Sequence, residues 1–133
     1  MKVYLDSVVI IYYLDHVGSL QARAANRLAA LKEAGDEIVV SDLVRMECRV
    51  HPIRTGDNVR LTRFDGFFAH PDVQTAPITT AVFDRATQIR ATHGYKTMDS
   101  INLAAAVEGG CDVFLTNDAQ LSGFSDFTVE ILS

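Results

Sequence analysis

The chain has no tryptophan, only three prolines and two cysteines, Cys48 and Cys111, which lie far apart and form no C-x-x-C pair. That scarcity excludes a zinc ribbon, a thioredoxin-like redox pair and a disulfide scaffold. The two thiols read as small core residues in a reducing compartment. Histidine offers no alternative: His16, His51, His70 and His93 show no ligand spacing, which argues against a zinc site or a histidine-based nuclease. No apolar run approaches the roughly 20 residues that cross a bilayer; "VVIIYYL", residues 8–14, is bracketed by Asp6 and Asp15. No basic segment leading to a small-residue cleavage site opens the sequence, so the expectation is a cytoplasmic protein with no secretory leader and no membrane association. An excess of positive charge is missing too. Twelve Lys and Arg face 17 Asp and Glu, a formal net charge of −5, which by itself does not mark a nucleic-acid binder.

What is present is a well-mixed globular composition. With 133 residues, 48% of them hydrophobic, one domain spanning residues 1–133 is expected, large enough to build a core without staples. Five basic residues gather in one stretch, Arg45, Arg49, Arg54, Arg60 and Arg63; a solvated helical face and a phosphate-contacting strip both fit them. Short apolar runs alternate with longer amphipathic stretches. "KVYLD" (2–6), "EIVVS" (37–41), "DVQTAPI" (72–78), "DVFLT" (112–116) and "FTVEIL" (127–132) read as strands, the third an edge strand because Pro77 closes it. Helices are predicted over 8–15, 19–35 with Ser19 as N-cap, 41–50 with Ser41 as N-cap, 59–70, 79–94 and 98–110, with a looser region, "HPIRTGDN", before the fourth. Strands separated by helices imply a parallel sheet covered on both faces, whose sites form outside the carboxyl ends of the strands.

Four acids stand where such a fold makes them conspicuous. Asp6 and Asp118 lie at carboxyl ends of predicted strands. Glu47 falls among Leu43, Val44, Met46 and Val50, the predicted buried stripe of its helix. Asp99 precedes Leu103 by four and Ala106 by seven on an Ala-rich helix. Each has an ordinary explanation: Asp99 in favouring a helix dipole, Glu47 in pairing Arg45 or a backbone group, Asp6 and Asp118 as turn or cap residues, the latter capping "AQLSG". All four directed toward one rim is a different matter. Clustered carboxylates raise one another's proton affinity, and a hard divalent cation with oxygen ligands is the usual relief.

At these residues the chain resembles a PIN-domain ribonuclease, and most of all the VapC-type toxins of bacterial and archaeal toxin–antitoxin modules. The resemblance runs the whole length, through "YLDSVVIIYYLD", "SDLVRMEC", "HGYKTMDSINLAAAVEGGCDVFLTND" and the last strand. It implies a three-layer α/β/α domain with a five-stranded parallel sheet in the order 3-2-1-4-5. It places the family's acidic cluster on Asp6, Glu47, Asp99 and Asp118, with Ser7, Thr116 and Asn117 as supporting polar residues. One departure is Val8, where the family often has Asn or Ser.

The activity implied is a divalent-metal-dependent endoribonuclease that cleaves RNA phosphodiester bonds, the toxin of its module. Asp6, Asp99 and Asp118 would bind Mg2+ or Mn2+, with Glu47 as a further ligand or acting through water. Arg45, Arg49 and Lys96 are candidates for RNA contacts. A PIN-fold nuclease or non-catalytic RNA- or protein-interaction module outside such a system is the alternative. An aspartyl-phosphate phosphatase is disfavoured, since it would carry an acid two residues after Asp6, where Val8 stands. The partners expected are an RNA substrate, a cognate antitoxin peptide lying along the helices of residues 8–31, and a second copy of the chain. Self-association is expected because "VVIIYYL" and "FDGFF" carry more apolar bulk than one small sheet covers.

Overall fold

The computed structural model describes residues 1–15 and 18–133; of the residues singled out above, only His16 lies outside them. The strands are β1 (Lys2–Leu5), β2 (Glu37–Ser41), β3 (Val73–Ala76), β4 (Val113–Thr116) and β5 (Thr128–Ile131). The helices among the described residues are α1 (Ser7–Asp15), α2 (Ser19–Glu33), α3 (Asp42–Thr55), α4 (Asn58–Phe68), α5 (Thr80–His93) and α6 (Thr97–Glu108), with a 3-10 turn at Ala119–Gly123. All pairings are parallel and the order is β3-β2-β1-β4-β5. β1 is central, in register with β2 (Val3↔Ile38) and with β4 (Val3↔Val113).

Handedness places the layers. The crossovers β1→β2 and β2→β3 step one way along the sheet and β3→β4 steps back, so right-handed connections put α1–α4 on one face and α5–α6 on the other. The contacts agree, with α1 against α2 and α3, α3 against α4, and α5 against α6. This is the expected three-layer α/β/α arrangement. The reversal of direction lies between β1 and β4, and a crevice outside their carboxyl ends follows from it. Both strands are buried there: Val3, Tyr4, Leu5, Phe114, Leu115 and Thr116 have essentially no exposed surface.

Local expectations differ from the structure in four places. Gly18, not Ser19, is the N-cap of α2, and no side chain caps it. The stretch expected to be loose continues α3 to Thr55 with Pro52 inside, and the break comes at Gly56 and Asp57. The buried stripe of α3 is Val44, Cys48 and Pro52, spaced by four, whereas Met46 and Val50 are exposed. Finally, "VVIIYYL" and "FDGFF" are better covered than their composition suggests: Val9, Ile10 and Phe64 are buried, and Ile11, Tyr12, Tyr13, Leu14, Phe67 and Phe68 pack against the core. The exposed large apolar residues include Met46, Val50 and Ile53 of α3. Cys48 and Cys111 are free and buried, as expected.

Candidate functional site

Asp6 follows β1 directly and continues its pairing, its N–H donating to the Leu115 carbonyl at 2.9 Å. Its carboxylate is gripped from two sides. One oxygen accepts the Ser7 N–H at 2.8 Å and the other accepts the Thr116 hydroxyl at 2.7 Å. The same hydroxyl accepts the Asp118 N–H at 3.1 Å, so Thr116, at the end of β4, sets Asp6 and Asp118 side by side. The Asp118 carboxylate also accepts the Gln120 N–H at 3.0 Å, capping the 3-10 turn as the plainer reading of "AQLSG" anticipated.

From α6 comes Asp99, half-buried in the first turn, where the helix dipole also favours it. From α3 comes Glu47, adjacent to the buried Cys48. It is not paired with Arg45; it accepts the Asn102 side-chain N–H at 3.1 Å. Asn102 is a residue the sequence reading passed over. It is 2% exposed, three positions after Asp99 in a Leu- and Ala-rich helix, and a buried amide in such a stripe is the same anomaly that singled out Glu47.

The electrostatics tie these acids together. Burial, above all, raises the proton affinity of Asp6, with the Asp118 charge adding to it and the hydrogen bonds from Thr116 and Ser7 opposing it. Burial likewise raises Glu47, reinforced by Asp6 and Asp99 and opposed by Asn102. Asp99 is raised by burial and then by Asp6 and Asp118, with the Lys96 ammonium acting the other way. The four carboxylates therefore share one field at the crevice between β1 and β4.

The supporting residues divide. Ser7 and Thr116 are buried at the cluster, while Asn117 donates to the Tyr12 hydroxyl at 3.2 Å and is exposed. Arg45 and Arg49 both turn to Asp65, at 3.9 and 2.8 Å, bracing α3 on α4. Arg60 grips Asp15 through both its Nε and a terminal nitrogen, and Arg63 donates to the Leu14 carbonyl at 2.9 Å. Much of the basic stretch is thus engaged in holding α3, α4 and the end of α1 together. Lys96, just before α6, is exposed.

Oxygen-only donors of this kind suit a hard divalent cation. As the side chains stand, no three His, Cys, Asp or Glu among the described residues are placed to hold an ion. Asp6, Glu47 and Asp118 each accept a hydrogen bond from a donor of the protein.

The PIN domain family model matches residues 3–126. No curated protein matches the chain. Among solved structures, VapBC2 from Rickettsia felis bound to a promoter DNA fragment superposes with a TM-score of 0.83 at 13% identity, covering 100% of each chain. DNA-bound VapBC from Salmonella typhimurium gives 0.80 at 16% identity, over 100% of this chain and 99% of that one. The sarcin-ricin-loop-cleaving toxin VapC20 of Mycobacterium tuberculosis gives 0.76 at 14%, over 95% and 96%. At such identities these likenesses show the fold.

Proposed function

This chain belongs to the PIN domain family, and on that premise we propose that it is a divalent-metal-dependent endoribonuclease of the VapC type, one domain over residues 1–133. The observation that carries the reading is the convergence of Asp6, Glu47, Asp99 and Asp118 on one crevice, three of them with proton affinities raised by burial and by one another. A structural role explains one such acid at a time; it gives no reason to concentrate four.

Asp6, Asp99 and Asp118, with Glu47, would hold Mg2+ or Mn2+, whose bound charge would acidify a water and offset the negative charge of the phosphate during in-line displacement. The chain's own contribution is orientation. Thr116 fixes Asp6 relative to Asp118, Ser7 fixes the other oxygen of Asp6, and Asn102 fixes Glu47. Lys96, beside Asp99 and exposed, would meet a backbone phosphate. Arg45 and Arg49 would do so only by releasing Asp65.

The partner side of the reading is a cognate antitoxin that silences the enzyme, on a toxin located in the cytoplasm. Among the described residues no helix is long and apolar enough to cross a membrane. A guanidinium fork reaching into the acid cluster would compete with metal and substrate together.

The test is cleavage of single-stranded RNA by the purified protein. Activity is expected to vanish in excess chelator and to return with Mg2+ or Mn2+. Undiminished cleavage in chelator would overturn the metal-dependent mechanism.

A further inference from the structure

The side chain of Glu47 is held by a chain of hydrogen bonds that begins and ends on its own helix. Val44 N–H, in the first turn of α3, donates to the Ser41 hydroxyl at 3.4 Å. The Ser41 and Tyr4 hydroxyl oxygens are 2.7 Å apart, and Tyr4 lies 2.7 Å from the Asn102 carbonyl oxygen. The Asn102 amide nitrogen then donates to Glu47 at 3.1 Å. Ser41, Tyr4 and Asn102 are 0%, 0% and 2% exposed, so no solvent competes for these contacts.

Counting protons gives the chain a direction. A carbonyl oxygen only accepts, so the single phenolic proton of Tyr4 belongs to Asn102. The contact between Tyr4 and Ser41 must then use the serine proton. The Ser41 oxygen in turn accepts from Val44, and every donor is oriented by the one before it. Flipping the Asn102 amide would break the chain at two points: it would bring an amide oxygen against a Glu47 oxygen and remove the acceptor that Tyr4 needs.

We propose that Asn102 is the positioning residue for Glu47, and that Tyr4 and Ser41 act at a distance by fixing which end of the Asn102 amide faces the acid cluster. The inference rests on the reading of that cluster as a metal site. Tyr4 touches none of the four acids through its hydroxyl, yet its hydroxyl proton reaches the cluster through Asn102. Its ring is locked as well, stacked on Phe114 at 5.3 Å and 10° in the register that pairs Tyr4 with Phe114 across β1 and β4. A polar partner behind a metal-binding carboxylate typically changes metal affinity by about 10–100-fold when removed.

The experiment measures Mn2+ affinity by electron paramagnetic resonance on the full chain, as wild type, Asn102→Leu, Tyr4→Phe and the double variant, with melting curves in chelator to confirm folding. Asn102→Leu is expected to weaken Mn2+ binding by about 10–100-fold, and Tyr4→Phe by a smaller factor. The double variant should bind no more weakly than Asn102→Leu alone, because a chain already cut cannot be cut again. Tyr4→Phe keeps the aromatic stack, so it decides the question by itself if Asn102→Leu does not fold. Wild-type Mn2+ affinity in the variants, or losses that multiply in the double variant, would overturn the positioning role while leaving the metal site standing. A wild-type protein that binds no Mn2+ would overturn both.

Discussion

Asp6 carries the sharpest conflict between stability and use. It is desolvated, faces the charge of Asp118, and is eased only by Thr116 and Ser7. Replacing a residue held in that way should remove strain along with activity. Asp6→Asn and Asp99→Asn are therefore expected to abolish RNA cleavage yet melt at or above the wild-type temperature, with exposed Asp126→Asn unchanged in both respects. Unfolding of both cluster variants would mean that these acids serve structure. The same physics sets a pH dependence. An acid whose proton affinity is raised in the folded state makes that state bind more protons than the unfolded chain, from the ordinary carboxyl range of about 4 upward. Stability contributed by Asp6, Glu47 and Asp99 therefore falls as pH rises through that window. In chelator, the advantage of Asp6→Asn over wild type should be present near neutral pH and shrink on acidification toward the ordinary carboxyl range; an advantage that grew on acidification would contradict the assignment.

The secondary-structure elements were largely legible in the sequence, because the signals that define them are local. Alternation of apolar runs with amphipathic stretches located the five strands to within about two residues, and of the two N-caps expected, Ser41 is a true one. Helix α5 stops where the left-handed backbone of Gly94, φ 71°, closes it. A Cβ there would meet nothing within 4 Å, so the strain of Gly94→Ala is conformational. The expected cost is about 1 kcal/mol, read as a melting point lower by a few degrees with the cleavage rate of the folded enzyme unchanged. Helix α3 was read less well. Pro52 usually ends a helix, but here its ring sits buried on the stripe with Val44 and Cys48, and tertiary packing outweighs the local rule. The strand order came from the resemblance, since periodicity says nothing about which strands are neighbours. Asp6, Asp99 and Asp118 were legible as candidates from their places at strand ends and on a small-residued helix, and Glu47 from a predicted buried stripe that the structure moves to Val44, Cys48 and Pro52. Asn102 was not, because its meaning depends on Tyr4, 98 positions away in sequence.

At the scale of the molecule, the surface question has moved. The aromatic segments expected to drive self-association are mostly packed against the core, whereas Met46, Val50 and Ile53 stand exposed at helical spacing along α3. Self-association is still expected, now with α3 as the face to test. Light scattering should report a dimer for the chain alone and a larger complex after co-expression with the proposed antitoxin; a monomer that ignores that partner would contradict both expectations. The position of β1 in the middle of the sheet has one more consequence, and it concerns time. β1 is synthesised well before its neighbour β4, with which it pairs at Val113, and Asp6 acquires Thr116 and Asp118 only when that strand is in place. At roughly 5–20 residues added per second, on the order of ten seconds separate the synthesis of the first acid from that of the last. A nascent chain throughout that interval has an unpaired β1 and half a site. On the proposed reading of this cluster as a nuclease site, a chain laid out in this way would be unable to attack the message it is being read from until Asp118 has been made.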